Sequence, residues 1–211
     1  MIIHTMSVAP IGTNCYLLGC PKTKEAILID PGGEANRILS TAEREGLNLQ
    51  YIINTHAHFD HVGAVREIQK SKNIPFLLHK AEEPFIQPAA FAHSLAMFGM
   101  PEMHAPVVDD FIDPLKTYTF GEESFTVLET PGHSPGGVCF LFEKDVFVGD
   151  TLFAGSIGRT DLPGGSMEVL MQSIKTKLMT LDDNINVHCG HMNTTTIGNE
   201  RRFNPFNQYW N

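Results

Sequence analysis

The feature that most constrains this sequence is a cluster of three histidines and one aspartate within six residues: His56, His58, Asp60 and His61. An apolar, strand-like run (residues 51–53) precedes the cluster, and helical periodicity follows it over 61–72, so we expect a loop between a strand and a helix. Donors packed this tightly repel one another when protonated, which predicts a bound cation. Imidazole and carboxylate suit zinc, iron or manganese better than calcium.

The spacing of the cluster favours two metals over one. A run this short cannot easily close a single tetrahedral shell, but it can supply two ligands to each of two neighbouring ions. A structural zinc knuckle would need cysteine pairs or a closed Cys/His set, and the cluster contains no cysteine. The alternative is a histidine-rich surface turn without a ligand.

Length and composition predict a single globular domain over residues 1–211, with 42% hydrophobic and 18% charged residues. We expect no membrane span and no signal peptide, because no apolar stretch is long enough and the start lacks a basic segment. The four cysteines form no CxxC pair, which predicts a reduced, cytoplasmic chain. A net charge of −9 argues against nucleic acid as a partner.

The pattern of apolar runs predicts strands followed by helices in both halves of the chain. Predicted strands cover 2–8, 14–19, 25–30, 50–54, 74–78, 118–121, 123–129, 138–142, 145–149 and 186–188. Predicted helices cover 34–46, 61–72, 166–180 and 196–203. This order predicts an α+β fold, a four-layer αββα sandwich of two mixed β-sheets flanked by helices.

Three further candidate ligands follow predicted strands at sharp turns. His133 lies in a turn rich in Gly and Pro, Asp150 comes directly after a buried apolar strand, and His191 follows Gly190. A carboxylate in the position of Asp150 is costly unless it is paired or bound to metal. We expect His188, by contrast, to belong to the last strand.

These motifs together resemble the metallo-β-lactamase superfamily in order and spacing across nearly the whole chain. They comprise the segment Thr55-His56-Ala57-His58-Phe59-Asp60-His61 and the shorter motifs Pro131-Gly132-His133-Ser134, Gly149-Asp150 and Gly190-His191. Residues 149–161 and 195–206 also look like the glyoxalase II-like hydrolases, and the latter segment is close to short bacterial forms.

The resemblance implies two divalent metal ions, with zinc preferred and iron or manganese as alternatives. One ion would be held by His56, His58 and His133. The other would be held by Asp60, His61 and His191. Asp150 would bridge the two. The best-known β-lactamases of the superfamily have a cysteine where this chain has Asp150, beside the second metal, so we expect a substrate other than a β-lactam.

The implied activity is hydrolysis of a small-molecule thioester such as S-D-lactoylglutathione, by attack of a hydroxide shared between the two metals. A thioester suits the site because a thiolate leaves with little help from a general acid. Asp60 is placed to orient the hydroxide as well as to ligate. Arg159 falls where glyoxalase II enzymes carry a basic residue for the glutathione carboxylate, although a structural pair with Asp161 is an equal alternative.

Two departures from the larger glyoxalase II enzymes bear on the substrate. We expect the chain to lack their C-terminal helical domain, and Asp161 stands where they have a tyrosine. From both departures we expect a lower specificity for glutathione than in those enzymes.

Two other activities remain open on the same scaffold. Persulfide dioxygenases share the segment 158–161 but use one iron, which here would be held by His56, His133 and Asp150. A nuclease-type hydrolase is disfavoured by the acidic balance and short length. The sequence leaves the oligomeric state undetermined.

Overall fold

The fold is known from a computed structural model, which describes residues 1–100 and 103–210. The chain divides into two compact units: residues 1–112 with 119–124, and residues 113–118 with 125 onward. The predicted α+β class, with two large mixed sheets and helices, is confirmed. The single-domain assignment stays a prediction. Among the described helices, none has the length and apolar character needed to cross a membrane.

The first unit is built on a six-stranded sheet with the order β1-β2-β3-β4-β5-β6. Its strands are β1 (Ile2–Val8), β2 (Thr13–Gly19), β3 (Glu25–Ile29), β4 (Asn48–Ile53), β5 (Phe76–Leu78) and β6 (Asp110–Phe111). β1, β2 and β3 pair antiparallel, whereas β3 to β6 run parallel, so the carboxyl ends of β3 and β4 lie at the same edge.

Helices α1 (Ala35–Arg44), α2 (Phe59–Val62), α3 (Val65–Lys72) and α4 (Pro88–Met97) complete this unit, with a 3₁₀ segment over Lys80–Ile86. α1 buries Ala35, Ile38 and Ala42, the one-sided spacing of an amphipathic helix, and the predicted stop at Gly46 has a φ of 65°. The core joins these side chains to Leu28 and Ile52 of the sheet.

The predicted single helix over 61–72 is wrong, because the structure divides it into α2 and α3 at residues 63–64. The reason is tight packing against the turn after β3. A Cβ on Gly63 would lie 2.3 Å from the carbonyl oxygen of Gly32, and the Ala64 amide donates to the Pro31 carbonyl. The break between α2 and α3 therefore falls where the chain packs directly against this turn.

The second large sheet has the order β14-β13-β10-β9-β8-β7, and most of its residues belong to the second unit. Its strands are β7 (Thr117–Phe120), β8 (Glu123–Glu129), β9 (Val138–Leu141), β10 (Asp145–Gly149), β13 (Asn186–Cys189) and β14 (Thr195–Thr196). A separate hairpin consists of β11 (Leu152–Phe153) and β12 (Ser156–Ile157), which pair antiparallel. β10 and β13 run parallel, so their carboxyl ends also meet at one edge.

Helices α5 (Met167–Ser173) and α6 (Ile197–Phe203) pack on this sheet. The predicted helix over 166–180 is correct in position, but its second half, Ile174–Leu178, is a π-helical turn. Leu170 and Ile174 join Val146, Val187 and Ile197 in the buried core of this unit. Ser173 of α5 donates to Pro131, which precedes the candidate ligand His133, and Glu200 of α6 accepts from Gly155, in the hairpin that follows Asp150.

Candidate metal centre

The first unit brings together four predicted ligands between β4 and α2. His56 and His58 lie on the loop, while Asp60 and His61 begin the helix. The His56 ring centroid lies 4.1 Å from that of His61 and 4.7 Å from that of His58. His56, Asp60 and His61 are buried and His58 is partly buried. A histidine-rich surface turn is therefore excluded.

Asp30, which directly follows β3, fixes the orientation of His61. Its Oδ2 lies 3.0 Å from His61 Nδ1, and the carboxylate also accepts hydrogen bonds from the Thr55 amide (2.8 Å) and hydroxyl (2.6 Å). Because a carboxylate only accepts, the proton of a neutral His61 belongs on Nδ1, which makes Nε2 the ligand nitrogen. Asp30 was not among the predicted site residues, although it follows a buried strand as Asp150 does.

Asp60 is held in turn by Thr13, whose hydroxyl donates to Oδ2 at 2.8 Å. The same Oδ2 lies 3.2 Å from His61 Nε2. Two ligands bound about 2.0–2.1 Å from one tetrahedral ion are about 3.3 Å apart, so this pair has the spacing of ligands that share a metal. Gly32 permits the arrangement, because a Cβ there would lie 1.5 Å from the Asp60 carbonyl oxygen.

Glu82 is a second buried carboxylate that the sequence analysis missed. It is fully buried, and its Oε2 accepts a hydrogen bond of 2.8 Å from the Ala57 amide, between His56 and His58. It therefore supports the backbone of the ligand loop. It lies in an irregular stretch without clear periodicity, so no sequence signal distinguished it from an exposed glutamate.

The second unit brings together His133, Asp150 and His191. Asp150 Oδ2 lies 3.6 Å from Nε2 of His133 and 3.6 Å from Nε2 of His191. His133 Nδ1 donates to the carbonyl of Arg159 at 2.7 Å, which leaves Nε2 as the basic nitrogen. One carboxylate oxygen is thus equally close to two imidazole nitrogens, an arrangement that suits a carboxylate serving two ions.

Helix α5 fixes the turn that carries His133. Ser173 Oγ donates to the Pro131 carbonyl at 2.7 Å, and the Ser166 amide donates to the Gly132 carbonyl at 2.7 Å. Gly132 has a φ of 130°, and a Cβ there would lie 2.3 Å from the Leu170 amide nitrogen. Only glycine allows the turn to pack this closely against α5.

We therefore expect Gly132→Ala to lower the free energy of unfolding by roughly 2–4 kcal/mol, because both the backbone conformation and the clash oppose a side chain. Urea denaturation measures the change. Gly46→Ala is the matched control: its φ is 65° but nothing lies within 4 Å of the added Cβ, so a loss of about 1 kcal/mol is expected. Equal losses in the two variants would contradict the packing argument.

Arg159 forms a bidentate ion pair with Asp161, with Nε–Oδ1 and Nη2–Oδ2 distances of 2.7 Å. Hydrogen bonds from Arg159 lower the pKa of Asp161 to about 2, and the carboxylate in turn raises the pKa of the guanidinium. Both side chains are largely exposed. Arg159 therefore forms the structural pair with Asp161 that the sequence offered as the alternative to substrate contact. Its main-chain carbonyl orients His133.

The remaining histidine and cysteine predictions concern groups outside the cluster. His188 belongs to β13, as predicted, and its Nε2 lies 2.8 Å from Asp145 Oδ1. The four cysteines are buried and form no disulfide. Burial raises the pKa of Cys139 and Cys189 to about 12, so both remain thiols at neutral pH and are poor ligands.

The donors that each unit brings together are imidazole nitrogens and carboxylate oxygens, a set that suits zinc, iron or manganese. In the first unit, donor atoms of His56, His61 and Asp30 lie within 4.8 Å of one another, and the Asp30 carboxylate is engaged by Thr55 and by His61 Nδ1. The ring orientations set by Asp30 and by the Arg159 carbonyl are those expected of metal-binding histidines. The residues present thus fit divalent metal ions.

Residues 8–191 match the family model of the metallo-β-lactamase superfamily. The chain belongs to this superfamily of metallo-hydrolases. It is 39% identical to hydroxyacylglutathione hydrolase GloC of Haemophilus influenzae, covering 98% of each chain. The crystal structure of the BLEG-1 B3 metallo-β-lactamase has a TM-score of 0.91 and 40% identity, over 97% of this chain and 99% of that one.

A second solved structure, TTHA1623 in a di-iron-bound form, is similar at a TM-score of 0.85 and 37% identity. It covers 96% of this chain and 99% of that one. Each of these similarities extends over nearly the whole of this chain and of the chain compared with it. Together they confirm the superfamily resemblance inferred from the motifs.

Proposed function

We propose that this protein is a glyoxalase II-like, metal-dependent thioester hydrolase, which converts S-D-lactoylglutathione and water to D-lactate and glutathione. The proposed ligands are His56, His58 and His133 for one divalent ion. Those for the other are Asp60, His61 and His191. Asp150 is the proposed bridge. The similarity to GloC supports the substrate class, and four buried cysteines that form no disulfide support a reducing, cytoplasmic setting.

The observation that carries the proposal is the position of Asp150. Its Oδ2 is 3.6 Å from the Nε2 atoms of two histidines, His133 and His191, which the resemblance assigns to different metals. A structural ion pair would need only one histidine, and that histidine would lie at hydrogen-bond distance from Asp150. A carboxylate beside the imidazole nitrogens of two histidines is instead the arrangement that two neighbouring cations would stabilise.

Two divalent ions, when bound, would supply a nucleophilic water at neutral pH and polarise the thioester carbonyl. Asp60, held by Thr13, would accept a hydrogen bond from that water and orient it. The buried surroundings of His56 and Asp60 strengthen these electrostatic contacts by excluding solvent. The thiol leaves as a thiolate, so the step needs no general acid.

A β-lactam is the second candidate substrate, because the BLEG-1 B3 metallo-β-lactamase is 40% identical over nearly the whole chain. Water addition to a β-lactam carbonyl would use the same donors. It differs in the leaving group: the amide nitrogen must be protonated, whereas a thiolate need not be.

Assays of the metal-loaded protein on three substrates test the proposal. S-D-lactoylglutathione should be hydrolysed at least ~10²-fold more efficiently than a chromogenic cephalosporin, and glutathione persulfide should cause no oxygen uptake. His133→Ala should reduce thioester hydrolysis by about 10²-fold or more, since it removes a proposed ligand. His93→Ala, an exposed histidine of α4, is the matched control and should keep full activity. Preferential cephalosporin hydrolysis would refute the proposed substrate.

Arg159 is proposed to contact the glutathione carboxylate after exchanging Asp161 for the substrate. We expect Arg159→Gln to raise KM for S-D-lactoylglutathione by about 10-fold, because a charge-assisted hydrogen bond contributes about 1.5–3 kcal/mol before solvent screening. The kcat should change less than about threefold. Steady-state kinetics with a thioester of N-acetylcysteamine, which lacks the carboxylate, is the control. An equal rise in KM for both substrates would exclude this contact.

A further inference from the structure

Glu200 of α6 carries a fully buried carboxylate. Its Oε1 accepts hydrogen bonds from the Thr195 hydroxyl (2.6 Å) and the Asn199 amide (2.8 Å). Its Oε2 accepts from the Gly155 main-chain amide (2.9 Å) and from the Asn204 amide (2.7 Å). Both oxygens therefore have two donors each.

All four of these donors are neutral groups. A buried carboxylate is costly to desolvate, and apolar residues of similar size often replace buried charges without loss of stability. Stability alone is therefore a weak reason for a charge at this position. What distinguishes Glu200 is the segment that it binds.

That segment is the β11–β12 hairpin, which connects two parts of the candidate metal centre. The hairpin begins two residues after Asp150 and ends two residues before Arg159, whose carbonyl orients His133. Glu200 binds its turn at Gly155, and Asn204 also donates to the Ser156 carbonyl at 3.0 Å.

The base of the hairpin is also tightly closed. A Cβ on Gly158 would lie 1.8 Å from the Asp150 carbonyl oxygen and 3.1 Å from His133 Nδ1. The two chain ends are thus in contact, and a shift of the turn would move Asp150 and the Arg159 carbonyl together.

We propose that Glu200 is a positioning residue for the metal centre: by fixing the hairpin turn, its carboxylate sets the positions of Asp150 and of the carbonyl that orients His133. The inference rests on the proposed metal-binding function and adds to it a residue that contacts no metal. The outer partners of metal ligands typically contribute about 10–100-fold to metal affinity.

Two substitutions distinguish the contribution of the accepting oxygens from that of side-chain volume. Glu200→Leu removes all four hydrogen bonds, and we expect the affinity for Zn²⁺ to fall about 10-fold or more. Glu200→Gln keeps one accepting oxygen for Gly155 and Asn204, while the Thr195 hydroxyl and the Asn199 amide can turn to accept. We therefore expect only about a threefold loss of affinity for this variant.

Arg201→Met is the matched control, since Arg201 is the next residue of the same helix. Its Nη2 donates to the carbonyls of Met179 (3.0 Å) and Leu181 (2.6 Å), so it docks α6 through a different segment. We expect this variant to lose stability in urea denaturation but to keep the wild-type Zn²⁺ affinity, because its hydrogen bonds to Met179 and Leu181 lie outside the hairpin.

Chelator competition with Zn²⁺, together with urea denaturation, tests the inference. The inference is supported if Zn²⁺ affinity is lowest in Glu200→Leu, intermediate in Glu200→Gln and highest in wild type. Equal Zn²⁺ affinities in Glu200→Leu and Arg201→Met would overturn it. If Glu200→Leu does not fold, Glu200→Gln decides: wild-type Zn²⁺ affinity would overturn the inference. Failure of wild type itself to bind Zn²⁺ or another divalent metal would refute the proposed function instead.

Discussion

Replacing Asp150 by asparagine should remove thioester hydrolysis almost completely, with a loss in kcat on the order of 10³-fold or more. Loss of a single stabilising donor already lowers kcat by about 10²–10³-fold in other hydrolases, and Asp150 is proposed to serve two ions. Asparagine preserves the size of the side chain but removes its charge, and its NH₂ group would repel a cation. Metal analysis of the purified variant should show reduced occupancy.

The control for this substitution is Asp145→Asn, at the opposite end of the same strand, β10. Asp145 pairs with His188 at 2.8 Å and with the Asn186 amide at 3.0 Å. Its loss should lower the free energy of unfolding by about 1–3 kcal/mol while metal content and kcat remain near wild type. An Asp150→Asn enzyme with full metal content and kcat within tenfold of wild type would contradict the assigned bridge.

Asp30→Asn is also expected to have a large effect, although Asp30 is not proposed as a metal ligand. The asparagine oxygen can still accept from the Thr55 amide, but its NH₂ group then faces His61 Nδ1. The imidazole must become an acceptor at Nδ1 and carry its proton on Nε2, which cannot then bind a metal. We expect metal affinity at this histidine to fall by about 10–100-fold, as for other partners of metal-binding histidines.

Nuclear magnetic resonance of the imidazole nitrogens would report the change of tautomer directly, and chelator competition would report the affinity. Glu82→Gln is the matched control, a buried carboxylate that supports the same loop through the Ala57 amide. Glutamine retains an accepting oxygen for that amide, so metal affinity should stay within about threefold of wild type. Retention of the Nδ1–H tautomer and of wild-type affinity in Asp30→Asn would disprove the orienting role.

The parts of the site that the sequence predicted are those encoded locally. The run from His56 to His61 places four donors between a strand and a helix whatever the rest of the chain does. The rule that identified Asp150, a carboxylate directly after a buried strand, applies equally to Asp30. Its role was missed because the partner that explains it, His61, lies 31 residues away.

The rest of the fold depended on contacts that no local pattern records. Gly63 and Gly32 split a continuous helical pattern into α2 and α3 because two backbones meet there. The strands β11 and β12 have two residues each, too short for any periodicity, and the hairpin is held by Glu200 from 45 residues away. For Arg159, the sequence offered two partners, and the structure shows the one supplied by its own chain, Asp161.

The central claim is that the donors on both units hold two divalent ions that hydrolyse a thioester. Its most direct test is the metal content per chain of the purified protein, measured with the rate of S-D-lactoylglutathione hydrolysis before and after chelation. We predict two divalent ions per chain, hydrolysis that is lost with the metals, and recovery when zinc, iron or manganese is restored. One iron per chain, with oxygen uptake on glutathione persulfide and no thioester hydrolysis, would contradict the account.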